Sequence, residues 1–250
     1  MSITSFPVKD KMPDIHPTFD FAKLGDHRIE IMADAGSRIL ECYRVLNKGG
    51  LNIVGELLKD QGTFYELEHY PKDDVFDDAT HSQYYYHAHR RDSSEHGHIH
   101  TFIRQPGMPE GMSPISHDGD IAWPTGDNAL THLVAVSMDG YGFPIGLFTT
   151  NRWVTGEAWY PASDIIAILD IFCIDHAYPS WPVNIWLTHL LKLFRPQVEW
   201  LLMQRDLTIE RRLRDHHDID VYEDRDLDIT SFLPIDVEMQ IKQVLAVMPD

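Results

Sequence analysis

From Asp26 onward, Ile29, Met32, Ala33, Ile39, Leu40, Tyr43 and Leu46 recur at the spacing of one helical face. Asp26 is placed to cap this helix, Gly49-Gly50 breaks it, and Leu51 to Leu58 reads as a second, short helix, so 26–60 is expected to be helical. Upstream, Met1 to Asp14 alternates polar and apolar residues around two prolines without an apolar core. That pattern reads as part of an extended arm through about Phe21, not as a signal peptide. The period changes over 62–160. Phe64 to Tyr70, Gln83 to Arg90, His96 to Arg104, His132 to Met138, Phe143 to Trp153 and Thr155 to Tyr160 are short runs of aromatic and β-branched residues, separated by Gly, Pro, Asp and Ser. Such runs predict strands and hairpins.

The link from Gln105 to Asn128 holds four prolines and four glycines and is expected to be a long loop, within which His117-Asp118-Gly119-Asp120 is a candidate lid or ligand. The final third, 163–250, returns to helical spacing. Ser163 and Asp164 open one helix through Ile174, Pro182 suits the first turn of another over Val183 to Phe194, and Pro196 starts a third toward His216. Asp218 to Asp228 looks acidic and exposed, and a last helix is expected from about Pro234 to Val247. No polar linker divides the chain. The expectation is one α+β domain over 1–250, a central antiparallel β-sheet flanked by N-terminal and C-terminal helices.

Charge narrows the partners. Against 21 Lys+Arg stand 39 Asp+Glu, a formal net charge of -18. That surface repels phosphate backbones and anionic headgroups, so the expected partner is a small-molecule substrate, with no nucleic acid and no membrane. The longest apolar stretch, Ile165 to Ile174, is interrupted by Asp170 and is too short to span a bilayer; a cytoplasmic location is expected. Cys42 and Cys173 are too few for a disulfide framework or a thiolate metal site and are expected to be buried free thiols.

The candidate chemistry lies between His87 and His100, where five of the 15 histidines fall. Alternate side chains on a strand share a face, so His87 and His89 point together, as do His96, His98 and His100. The intervening Arg-Asp-Ser-Ser-Glu is turn chemistry, which predicts an antiparallel hairpin. A four-residue loop, Asp92 to Glu95, pairs Arg91 with His96, His89 with His98 and His87 with His100. A two-residue loop, Asp92-Ser93, instead pairs His89 with His96 and His87 with His98. Either register gathers both histidine sets on one face, with opposed Cβ atoms roughly 4.5–5.5 Å apart. Imidazoles at that spacing can enclose an ion at roughly 2.0–2.2 Å from each nitrogen. His87, His89, His96, His98 and His100 are therefore candidate ligands of a transition metal (iron, zinc, copper or nickel), with His132 closing the sphere from a later strand. Glu95, at the hairpin tip, is a candidate carboxylate ligand or base. A solvated or hydrogen-bonded row of histidines, or a pH switch of clustered imidazoles, is the plainer alternative.

Downstream, Trp153, Thr155, Glu157 and Trp159 would share a strand face, an aromatic wall with one carboxylate, while Arg152 takes the other. That face reads equally as a small-molecule pocket or as packing beneath helices. Arg152 can hold an anionic substrate bidentately or pair with neighbours of Glu157.

His87-x-His89 followed by Glu95 is similar to the first motif of the cupin superfamily, and Pro144-Ile145-Gly146 to a fragment of the second, with Thr149 where that motif places a histidine. This resemblance covers Tyr84 to Asn151 and implies a cupin-like barrel as the alternative to an open sheet. His96-x-His98-x-His100 also resembles the histidine triad of nucleotide hydrolases, although Gly97 and Thr101 replace bulky apolar spacers. The phrases His81 to Arg90, Glu95 to Arg104 and Thr149 to Pro161 resemble an uncharacterised bacterial family known only as a domain of unknown function. That likeness implies no activity.

These readings converge on a metal-binding protein. A metal-dependent enzyme acting on a small molecule through a mononuclear histidine site comes first, with a non-haem iron oxygenase slightly ahead of a zinc hydrolase. A non-catalytic copper, nickel or zinc binding or delivery protein is the alternative, followed by the nucleotide hydrolase that the histidine-triad resemblance implies and by a structural metal staple.

Overall fold

Six strands form one antiparallel meander in the computed structural model, which describes residues 17–89 and 94–249. They are β1 (Tyr70–Phe76), β2 (Ser82–His87), β3 (Glu95–Arg104), β4 (Leu130–Asp139), β5 (Pro144–Thr150) and β6 (Ile229–Pro234), each pairing with the next in sequence. The sheet runs from a β1 edge to a β6 edge, so the open-sheet expectation is the one realised. The helices are α1 (Asp26–Lys48), α2 (Ile53–Leu58), the single turn α3 (Arg152–Thr155), α4 (Ala162–Ile168), α5 (Trp181–Leu193), α6 (Arg195–Asp215) and α7 (Val237–Leu245). The fold is α+β, with helices contributed from both ends of the chain. The expected arm up to residue 16 and the turn residues 90–93 lie outside the described residues.

The two sheet faces differ in chemistry. Tyr84, Tyr86, Ile99, Val134, Val136 and Leu147 join the main apolar core, together with Met32, Ile39 and Leu46 of α1, Trp186, Leu187 and Leu190 of α5, and Val198, Leu201 and Leu202 of α6. Each fully buried aliphatic side chain there contributes roughly 1.5–3 kcal/mol. The opposite face carries Ala135, Phe148, Ile229 and Phe232 in a small separate cluster, and it carries the histidines. Among the described residues no helix is long and apolar enough to cross a membrane. Cys42 is a free thiol buried in α1, whereas Cys173 is free and only partly buried.

Several sequence expectations shift. Phe64 to Tyr70 is not a strand; the edge strand begins at Tyr70 and runs through Pro71-Lys72-Asp73-Asp74, residues that read as breakers but are tolerated at an edge. Thr155 to Tyr160 is not a strand either. Asn151 accepts from the Arg152 amide and opens the turn α3, which Gly156 ends at φ +66°, so the alternation imagined through Trp153 and Trp159 is broken. Asp218 to Asp228 is acidic yet docked, with Val221 and Leu227 buried, and it leads into β6, which the sequence pattern did not reveal.

Candidate metal centre

The register of the histidine hairpin is settled by β2 and β3, where Tyr85 faces His100 and His87 faces His98. This is the pairing expected from the tighter loop. His98 and His100 are buried on β3, and His87 is half-buried at the end of β2. The rings stand nearly perpendicular to one another, with centroids 4.4 Å apart for His87–His98, 4.9 Å for His98–His100 and 5.2 Å for His87–His100. One ligand atom from each lies within 4.8 Å of the others, a set able to hold a metal ion. The Nε2 atoms of His87 and His98 are 2.7 Å apart. Two imidazole nitrogens bound tetrahedrally at about 2.05 Å sit ~3.3 Å apart, so a small ring rotation separates this contact from a coordinated geometry.

Two β-bulges decide which side chains join this face. β3 pairs Glu95 with Asp139 and Gly97 with Met138, leaving His96 as the extra residue. The bulge turns Glu95 onto the histidine face, where Oε1 accepts from His98 Nδ1 at 2.8 Å and Oε2 accepts a short hydrogen bond from the Ser137 hydroxyl. His96 turns the other way, onto the Tyr86 hydroxyl and the Phe64 ring. Gly97 is required between them, because a Cβ there would lie 2.6 Å from the His87 carbonyl oxygen. On β4, Thr101 pairs with Val134 but Phe102 with His132, so Leu133 is extra and His132 enters the histidine face.

His132 sits behind His100, its Nε2 3.0 Å from His100 Nδ1. Burial holds the His132 imidazole down at about 3, aided by the charge of Arg205, so its ring is neutral. A neutral His132 that accepts from His100 Nδ1–H fixes the tautomer in which His100 presents Nε2. Likewise Glu95, which only accepts while ionised, fixes His98 with the proton on Nδ1 and Nε2 turned to His87. The two buried histidines are thus oriented from behind, as metal-ligating histidines are by their outer partners.

The remaining expected residues fall elsewhere. His89 is exposed, its ring 5.2 Å from His87 and 5.1 Å from His98, next to the triad but outside its ligand-atom set. Glu157 is fully buried beside β4, accepting from the His132 amide at 2.6 Å and from Thr131 and Thr155. Desolvation raises it to about 7 against the opposing pull of Arg205 and those hydrogen bonds. Arg152 reaches the Glu157 carbonyl oxygen through Nε at 2.9 Å and pairs closely with Glu223. Trp153 bonds the Leu227 carbonyl and Trp159 lies under Arg205, so the imagined aromatic wall is dispersed. His117 stacks on Trp123 at 4.1 Å and approaches Asp220 at 3.1 Å, which docks the long loop on the acidic segment.

Sequence reasoning passed over His69 and Asp74. His69 stacks on Tyr85 with centroids 3.6 Å apart, and its ring lies 5.8 Å from His87. The signal was faint, since His69 is a lone histidine in the run Phe64 to Tyr70 and Asp74 lies among turn formers outside any expected strand.

Fold and cluster together define an α+β protein with a histidine site, His87, His98 and His100, that can bind a metal. The family described as a domain of unknown function (DUF6969) matches residues 33–235, and the chain belongs to it. No curated protein and no solved structure matches the chain.

Proposed function

We propose that the chain is a metal-dependent enzyme acting on a small molecule at a mononuclear centre held by His87, His98 and His100. The observation that supports this is the triad itself: three imidazoles meet on one sheet face, and the two buried ones are backed by Glu95 and His132. Three protein nitrogens leave a coordination position for substrate, the pattern of catalytic rather than structural zinc. The donor set also bears on the metal. Non-haem iron oxygenases use two histidines and a carboxylate, whereas Glu95 is turned to His98 Nδ1 and away from the ligand atoms. We therefore place a zinc-type hydrolase ahead of an oxygenase.

A divalent metal in this triad would polarise a substrate oxygen and activate water. The chain's own residues do the rest. Glu95 and His132 hold the ligand tautomers, and Tyr85, Phe102 and Phe148 surround the imidazoles with apolar surface. That surface keeps the local dielectric low and strengthens polar contacts made there.

One observation favours a binding or delivery role instead. Exposed His89 adjoins two ligands and can complete a saturated four-imidazole site. Cobalt substitution separates the readings. The enzyme reading expects a d–d spectrum that changes when an exogenous ligand is added and is preserved in His89→Ala. A spectrum insensitive to added ligand until His89 is replaced would overturn it in favour of delivery.

A further inference from the structure

A second histidine stands at the edge of the triad, held by a chain of hydrogen bonds of its own. His69 lies parallel to Tyr85, interplanar angle 8°, and meets His87 edge-on at 83°. Tyr85 is in turn 5.2 Å from His100 and 5.4 Å from His87, so His69 covers the β2 side of the ligand cluster. Its Nδ1 is 3.0 Å from Asp74 Oδ1. The other carboxylate oxygen, Oδ2, accepts from Gln83 Nε2 at 2.6 Å, and Gln83 Oε1 accepts from Arg104 Nε at 2.7 Å. Three side chains, from β1, β2 and β3, thus fix the one imidazole that the preceding loop supplies.

The backbone supports the same arrangement at a cost. Between the pairs Tyr70–Tyr86 and Val75–Tyr84 the register of β1 shifts, and within that excursion Asp74 takes φ +57°. A non-glycine residue in the left-handed region costs of order 1 kcal/mol, and such residues gather at functional sites. Here the strained residue is the one that orients the histidine. His69 nevertheless keeps 41% of its side chain exposed, unlike the buried members of the triad.

Because an ionised Asp74 can only accept, the proton of a neutral His69 resides on Nδ1, and Nε2 offers a lone pair. We infer that His69 is a substrate-contacting residue of the proposed metal site, accepting through Nε2 a hydrogen bond from a hydroxyl or amide N–H of the small molecule bound there. Asp74 is its positioning residue. This rests on the metal-enzyme reading and adds to it a substrate class, small molecules carrying a protic donor beside the metal-binding oxygen.

Acetohydroxamate is a suitable probe, since it chelates zinc through oxygen while keeping an N–H. Calorimetric titration of zinc-loaded protein is expected to show binding weakened about fivefold to tenfold in His69→Ala, the worth of one neutral hydrogen bond. A similar loss is expected in Asp74→Asn, where Nδ1 is no longer compelled to carry the proton. Zinc affinity, measured by chelator competition, is expected to stay at the wild-type value in both. Unchanged hydroxamate affinity in His69→Ala with normal zinc binding overturns this inference alone. Zinc affinity falling along with hydroxamate affinity makes His69 a ligand or a structural group and overturns it as well. A wild-type protein that binds no zinc overturns the metal reading, and this inference with it.

Discussion

Replacing Glu95 by alanine removes the carboxylate that orients His98 and leaves the triad's own atoms intact. The His98 Nδ1–H then loses its acceptor at 2.8 Å, and the Ser137 hydroxyl loses its partner, both at buried positions. A hydrogen bond to a charged group contributes roughly 1.5–3 kcal/mol, and removing the partner orientation of a metal-bound histidine typically lowers affinity about 10–100-fold. The two figures agree, since a tenfold change is ~1.4 kcal/mol. The expected result for Glu95→Ala is therefore a zinc dissociation constant raised 10–100-fold. Glu95→Gln keeps an acceptor but loses the charge, which leaves a deficit of about 1 kcal/mol, or roughly fivefold. Competition against a chromophoric chelator reads both. The graded order wild type, Gln, Ala follows from an outer carboxylate. If Glu95 were itself a ligand, Gln and Ala would both fall steeply; if it were irrelevant, neither would move. Equal affinity in wild type and Glu95→Ala would show that Glu95 does not orient His98 for a metal.

Other expectations follow from single contacts. Gly97→Ala places a Cβ against the His87 carbonyl and the Tyr86 hydroxyl, and is expected to cost roughly 1–3 kcal/mol in urea unfolding. Arg152→Ala strands the Glu223 carboxylate in a largely buried pair and is expected to lower stability by roughly 3–5 kcal/mol with zinc affinity unchanged; a loss of substrate binding with full stability would contradict that. Metal-free protein should show two opposed pH terms. Glu157, raised from 4.5 to about 7, binds its proton more tightly folded than unfolded, so its contribution falls as pH rises through that window. His132, lowered from 6.5 to about 3, binds its proton more tightly unfolded, so its contribution is lost as pH falls from 6.5 towards 3. Between 4.5 and 6.5 the two oppose, and Glu157→Gln is expected to lose stability on acidification more steeply than wild type. Identical slopes for the two proteins would show that the two groups do not behave as described.

What the sequence disclosed depended on the period of each element. The long helices α1, α5 and α6 carry an apolar stripe over several turns and were placed within a few residues. The hairpin was legible because His-x-His on two strands leaves few ways to pair them. The turn α3 was hidden by aromatic and β-branched residues at Trp153, Val154 and Thr155, whose strand preference yields to the Asn151 cap and the left-handed Gly156. The sheet edges β1 and β6 were missed because one is full of turn formers and the other is six residues next to an acidic segment. The bulges mattered most at the site. A single extra residue exchanges the two faces of a strand, and no spacing rule announces it. That is why His96 leaves the cluster, why Glu95 sits behind His98, and why His132 rather than Leu133 supports His100.

The most direct test is metal content, measured by mass spectrometry on untagged protein purified without chelator, beside His98→Ala/His100→Ala and His96→Ala. About one equivalent of a transition metal is expected in wild type and in His96→Ala, and none in the double variant. A metal-free wild type after anaerobic reconstitution, or metal retained in the double variant, would contradict it.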